Sequence, residues 1–188
     1  MPTRPVLFAL PGLALAGAGL FHPHHLSYAT SQTWWVLHVA GLFVFPLVGL
    51  AYAGLVRGRR DAVAVVVVLA SFVYAVAYTA LDVVSGLAAG YVTWRLGAGV
   101  PRPDEVRYLF DIGTDLGLVG SWALLLASVV LALDALVRHR LLAAPALVLV
   151  PGAWLVHVDH IFSPAGATGM ALIGLGTGWL ASRRQVLE

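Results

Sequence analysis

Histidine and aspartate are the side chains of this sequence best suited to chemistry, because neutral imidazole and carboxylate bind divalent metals and transfer protons. His157 and His160 are three residues apart near the end of an apolar run, a spacing that places both on one face of a helix. Asp111 and Asp115 share a helix face through their spacing of four residues. The sequence has no cysteine, so metal sites built on thiolates and disulfide bonds are excluded.

The composition is that of a membrane protein. Of the 188 residues, 60% are hydrophobic and 11% are charged, whereas soluble domains carry roughly 25% charged residues. All 11 basic side chains are arginine, so no lysine is present to form a Schiff base with a cofactor. The sequence pI of about 9.3 reflects arginines clustered between apolar segments, a pattern typical of membrane topology rather than of nucleic-acid binding.

The apolar segments predict an all-α fold in which residues 1–188 form a single transmembrane helical domain. Crossing a bilayer takes about 17–25 mostly apolar residues, and six segments meet this requirement. They run over about Pro5–Phe21, Thr33–Val56, Ala62–Tyr91, Tyr108–Val137, Leu141–Phe162 and Ala165–Ser182. The connections on one side are very short, so the neighbouring helices must be antiparallel.

The arginines predict the orientation in the membrane. Eight lie at one set of segment ends and three at the other, and the side rich in arginine is expected to face the cytoplasm. Both termini are then cytoplasmic, and the chain is expected to be a multi-pass protein of the cell membrane. Pro11 interrupts the first segment and no clear cleavage site follows, so we expect this segment to be retained as a helix.

Acids and histidines from five segments fall at one depth. About 20 residues, or roughly 30 Å, separate the arginine side from the outer edge of the hydrocarbon. Counted in this way, the segments reach His22, His38, Asp82, Asp115 and His160 in chain order. Ionisable side chains at membrane depth are costly, so their alignment predicts a polar site that faces outward.

We predict that this site binds a divalent metal, with zinc, iron or copper as ions suited to imidazole and carboxylate ligands. The predicted ligands are His38, His157, His160 and Asp111. Asp82 and Asp115 are predicted to act as catalytic bases. The expected substrate is a lipid or another amphipathic molecule from the outer leaflet, with residues 34–38 and 92–107 at the rim of the pocket.

Other functions are compatible with the same residues, and the sequence leaves open whether the protein is an enzyme. A non-catalytic membrane subunit or scaffold needs only the spans. A subunit that binds haem or quinone could use His38 and His157 as axial haem ligands. Transport is less well supported because the middle of the segments is apolar, as in residues 65–69 and 124–130.

The expected partners are membrane lipids, with no role for nucleic acid. Gly86-x-x-x-Gly90 and Gly113-x-x-x-Gly117 permit close helix contact, either between the third and fourth segments or between copies in a homo-oligomer. On the cytoplasmic side, Asp61 is expected to pair with nearby arginines, and so is Asp134.

Overall fold

The chain folds as a bundle of helices in the computed structural model, which describes residues 3–187. The helices are α1 (Thr3–Phe21), α2 (Tyr28–Leu55), α3 (Ala62–Leu81), a π-helix (Asp82–Ala88), α4 (Ala89–Leu96), α5 (Asp104–His139), a 3-10 helix (Arg140–Val148), α6 (Leu149–Asp159) and α7 (Ala165–Leu187). No strand occurs among these residues, which confirms the predicted all-α fold.

Among the described residues, four stretches are long and apolar enough to cross a membrane: Arg4–Phe21, Tyr28–Leu55, Ala62–Leu96 and Asp104–Arg138. The third joins α3, the π-helix and α4 into one rod of 35 residues. Large apolar side chains cover the outside, as with Phe43 at 71% exposure and Leu69 at 59%. The apolar exterior and the length of these helices indicate a membrane protein.

The predicted count of six spans is not confirmed. In place of a continuous fifth span over Leu141–Phe162, the chain has the 3-10 helix followed by α6. Pro145 lies inside the 3-10 helix and Pro151 in the first turn of α6. Proline has no backbone N–H and fixes φ, so it favours a break in a long α-helix at such positions.

The helices close into a ring in which each packs on its neighbours. Helix α1 packs on α7 and α2, α2 on α3, α3 on α5, α5 on α6, and α6 on α7. The interior is filled by large side chains from several helices, including Phe45, Tyr52, Tyr74, Leu149 and Met170. Tyr52 Oη lies 2.8 Å from Ser128 Oγ, a buried hydrogen bond that ties α2 to α5.

The Gly-x-x-x-Gly pairs are used within the chain. A Cβ atom on Gly113 would meet Ser85, and one on Gly117 would meet Leu81, so the expected close packing of the third and fourth segments is present there. Gly86 and Gly90 face α2 instead. These faces are therefore occupied inside one copy, and association between copies stays a prediction.

One end of the bundle, called the arginine end below, is held by ion pairs between the α2–α3 loop and α5. Arg59 Nη1 lies 2.6 Å from Asp134 Oδ2, and Arg138 Nε lies 2.9 Å from Asp134 Oδ1. Asp61 accepts hydrogen bonds from Arg59 and from the backbone N–H of Ala64, which caps α3. The Arg59 hydrogen bond lowers the pKa of Asp61 to about 2. The predicted pairing of both acids is confirmed.

Candidate functional site

His22, His38 and Asp82 meet at the end of the bundle opposite the arginine end. His22 follows the last residue of α1, His38 lies in the third turn of α2, and Asp82 begins the π-helix. His22 Nε2 lies 3.5 Å from His38 Nε2, and His38 Nε2 lies 3.9 Å from Asp82 Oδ1. All three side chains are buried, Asp82 completely so. We refer to these residues together with His160 as the His/Asp site.

The backbone determines which nitrogen of each imidazole carries hydrogen. His22 Nδ1 lies 2.8 Å from the Pro23 carbonyl, and His38 Nδ1 lies 2.7 Å from the Trp34 carbonyl. A carbonyl only accepts hydrogen bonds, so each Nδ1 is the donor. In the neutral rings both Nε2 atoms then carry lone pairs, and these lone pairs face each other. Burial lowers the pKa of His22, which lies outside the helices, and so favours its neutral form.

Asp82 is a buried acid whose carboxylate finds no hydrogen-bond partner among the described residues. Both carboxylate oxygens are buried, and neither is hydrogen-bonded to a described residue. A buried charge of this kind is stable only if a cation or a proton compensates it. A Cβ atom on Gly41 of α2 would collide with Asp82 Oδ2, so glycine is required there for the carboxylate to fit. π-Helical turns are frequent at functional sites, and this one begins at the acid itself.

His160 follows directly after α6, and its backbone points the ring inward. Its φ of 51° is the only positive φ among the non-glycine residues that the structure describes, and such conformations are often found at functional sites. The ring lies against both Phe45 and Tyr78, with centroid distances of 5.7 and 5.4 Å. Its centroid lies 6.4 Å from that of His22, and its Nε2 atom is buried with no hydrogen-bond partner in the part of the chain that the structure describes.

Trp34 holds His38 in place. Its indole stacks on the His38 ring at 5.4 Å between centroids, and its Nε1–H donates to the Ser85 carbonyl of the π-helix at 3.1 Å. Ser85 Oγ in turn donates to the Leu109 carbonyl of α5 at 2.8 Å. A Cβ atom on Gly86 would collide with the His38 ring, so this glycine makes room for the imidazole. Trp34 is thus a buried support of the site that also lines the larger cavity, and its place at the rim stays a prediction.

Two cavities border the His/Asp site. One of about 300 Å³ lies among the π-helix, α5 and α6 and is bordered by His38 and His160, with Phe110, Leu118 and Phe162 among its apolar walls. The other, of about 200 Å³, lies between α1 and α2 and ends at His22, His38 and Asp82. The site is therefore accessible to small molecules from two directions.

His157 lies in the larger cavity and has different partners from His160. Its Nδ1 atom is 2.9 Å from Ser121 Oγ of α5, and its ring lies against Trp122 and Trp154 at 4.4 and 5.4 Å. Ser121 Oγ also lies 3.1 Å from the Leu118 carbonyl. The pair of Ser121 and His157 can present a hydrogen-bonding group to a molecule in the cavity.

The structure therefore brings together only part of the set predicted from the sequence. His38, His160 and Asp82 lie in the His/Asp site, and His157 lies beside it in the larger cavity. Asp111 and Asp115 are both exposed on α5 and contribute to neither. His22 is absent from the predicted set, although the depth count had placed it at the same level as the others. Ser121 carried no signal in the sequence.

As they stand, the side chains of residues 3–187 form no group of three or more histidines and acids that could hold a metal ion. The nearest approach to one is the pair of facing Nε2 atoms with Asp82 beside them. Comparison with family models, curated proteins and solved structures finds no match to this chain.

Proposed function

We propose that the chain is a multi-pass protein of the cell membrane that binds a divalent metal at the His/Asp site. The proposed ligands are His22, His38 and Asp82, with His160 completing the set. The observation that carries the proposal is the 3.5 Å separation of two Nε2 lone pairs. Such lone pairs repel each other unless a metal ion or a proton lies between them, and metal content distinguishes the two.

The spacing suits a small ion. Two imidazole nitrogens on a tetrahedral zinc, each at about 2.0–2.1 Å, are about 3.4 Å apart. His22 and His38 already have nearly this separation. Asp82 Oδ1 lies 3.9 Å from His38 Nε2, so metal binding has to bring these two atoms roughly 0.5 Å closer together. A haem between His22 and His38 would need these two imidazoles on opposite faces of its ring, and the 4.9 Å between their ring centroids leaves no space for one.

The backbone contacts of the histidines also favour a metal. Imidazole ligands normally donate their other N–H to a carbonyl or a carboxylate, which fixes the ring and its tautomer. His22 and His38 both do so, through Pro23 and Trp34. Zinc, iron and copper all accept this ligand set.

A catalytic role on a lipid or another amphipathic molecule is the function we favour for such a centre. When bound, a divalent metal acts as a Lewis acid toward an ester or amide carbonyl. The larger cavity offers apolar walls for such a molecule, and Ser121 and His157 offer polar groups to orient its head. Asp115 has no role in the proposal because it is exposed on α5.

Elemental analysis of the purified protein tests the proposal. The protein would carry an affinity tag without histidine, and the sample would be compared with an equal sample stripped by chelator and reloaded with cobalt. We expect about one metal ion per chain and visible absorption bands of tetrahedral cobalt after reloading. A haem spectrum, or a protein that retains and takes up no metal, would contradict it.

A further inference from the structure

The cavity between α1 and α2 is an apolar groove that leads to the His/Asp site. Its walls are apolar and include Phe45 and Ile161, and alanine residues on both helices leave space between them. The α1 wall is formed by Ala14, Leu15 and Ala18, and the α2 wall by Leu37, Ala40 and Val44. Its end is polar, with His22, His38 and Asp82. The apolar walls and polar end of the groove therefore match a hydrocarbon chain that ends in a polar group.

The groove opens on the surface that meets the bilayer. Ala14 and Ala40 are exposed at its mouth. Beside it, Leu13 is 40% exposed, Val36 47% and Phe43 71%. Apolar surface of this extent on membrane-spanning helices contacts lipid tails, so acyl chains are the molecules present at the mouth of the groove.

The length of the groove also fits a chain. Ala14 and His22 are eight residues apart, which corresponds to about 12 Å along the helix axis. By the depth count from the arginine end, His22 lies at the outer edge of the hydrocarbon, where the polar group of a lipid joins its chain.

We propose that this groove binds one acyl chain of a lipid from the outer leaflet and brings its carboxyl or ester end to the His/Asp site. This inference rests on the proposed function for the role of the bound lipid, and it names the substrate class as molecules with an acyl chain. Binding of the chain itself needs only the groove and does not depend on a metal.

Photolabelling tests the inference. Two probes, stearic acid and a phosphatidylcholine, each with a diazirine on the acyl chain, would be photolysed with protein in nanodiscs, and the labelled residues mapped by mass spectrometry. We expect saturable labelling within residues 14–18 and 37–44, and unlabelled stearic acid should compete for it. The probe that labels at the lower concentration shows whether a free fatty acid or a phospholipid is preferred. Equal, non-saturable labelling of all exposed helices, or labelling confined to the larger cavity with none within residues 14–18 and 37–44, would overturn the proposal.

Variants of the groove provide the matched controls. Ala40→Phe and Ala14→Phe each fill the groove from one wall and should lower labelling by about tenfold, the effect of ordinary overpacking. Leu69→Phe places the same ring on the exposed face of α3, away from the groove, and should leave labelling unchanged. Labelling that persists in both groove variants would contradict the inference. Metal content measured on the same samples separates the proposals, because labelled protein without metal would refute only the metal site.

Discussion

The Nε2 atoms of His22 and His38 face each other at 3.5 Å, while each ring uses its Nδ1 atom to bind a backbone carbonyl. The two hydrogen bonds leave both Nε2 atoms as acceptors, so the pair is arranged to share one cation. Asp82 lies beside them without a hydrogen-bond partner among the described residues and can supply the compensating negative charge. Local backbone geometry thus determines the chemistry available to the site.

Gly86→Ala should weaken metal binding without unfolding the protein. The added methyl group collides with the His38 ring, which then has to leave its place against Trp34. Displacing a support of a metal ligand typically costs about 10–100-fold in affinity. Cobalt titration of the stripped protein measures the change. Gly17→Ala, where a Cβ atom meets nothing within 4 Å, is the matched control and should bind like the wild type. Equal affinity in all three proteins would count against the role assigned to His38.

Asp82→Asn should abolish the stabilisation that metal provides. The substitution keeps the shape of the side chain and removes the charge that balances a cation. At a metal concentration of about 100 times Kd, binding stabilises the wild type by about 2.7 kcal/mol, or roughly 5–10 °C in Tm for a chain of this size. Thermal unfolding with and without zinc measures the shift in both proteins. A full shift in the variant would exclude Asp82 as a ligand.

Because of the ion pairs at the arginine end, the stability of the protein should depend on pH only in the acidic range. The Arg59 hydrogen bond lowers the pKa of Asp61 to about 2, below the unfolded value of about 4. The contribution of ionised Asp61 to the free energy of unfolding is therefore complete above a pH of about 4 and is lost as the pH falls through about 2. Thermal unfolding of the wild type and of Asp61→Asn across this range provides the test. The difference in Tm should be constant near neutral pH and vanish in acid. A difference that persists at the lowest pH would contradict this reading.

The hydrogen bond between Tyr52 and Ser128 should contribute modestly to the packing of α2 on α5. Buried side-chain hydrogen bonds in membrane proteins couple by about 0.6 kcal/mol on average, because the unfolded chain also finds partners in the membrane. A double-mutant cycle of Tyr52→Phe and Ser128→Ala measures the coupling free energy. A coupling above about 2 kcal/mol would exceed this class of interaction and would show that the two hydroxyl groups belong to a larger network.

The depth of the ionisable side chains in the membrane could be predicted from the sequence, but the side of the helix on which each one lies could not. Counting residues from the arginines placed His22, His38, Asp82 and His160 at one level, and the structure brings these four together. The same count included Asp115, which is exposed because depth does not specify the side of the helix.

Two irregular backbone features account for most of the remaining differences. The π-helix at Asp82–Ala88 changes the angle per residue, so helical periodicity does not predict which face Asp82 and Gly86 present. α6 ends at Asp159, and because His160 has a positive φ, its side chain points in a different direction from that of His157. Spacing of three residues predicts a shared face only while the helix continues. The pairing of Asp61 and Asp134 with arginines was predictable because it needed only charge and proximity.

The metal site is tested most directly by the metal content of four proteins purified in parallel: the wild type, His22→Ala, His38→Ala and His157→Ala. We expect about one metal ion per chain in the wild type and in His157→Ala, and almost none in His22→Ala and His38→Ala, since loss of a ligand from a site of four is rarely tolerated. Size-exclusion chromatography and the helical signal in far-ultraviolet circular dichroism would show that all four proteins are folded. A wild type without metal, or full occupancy in both His22→Ala and His38→Ala, would contradict the assignment of the His/Asp site as a metal centre.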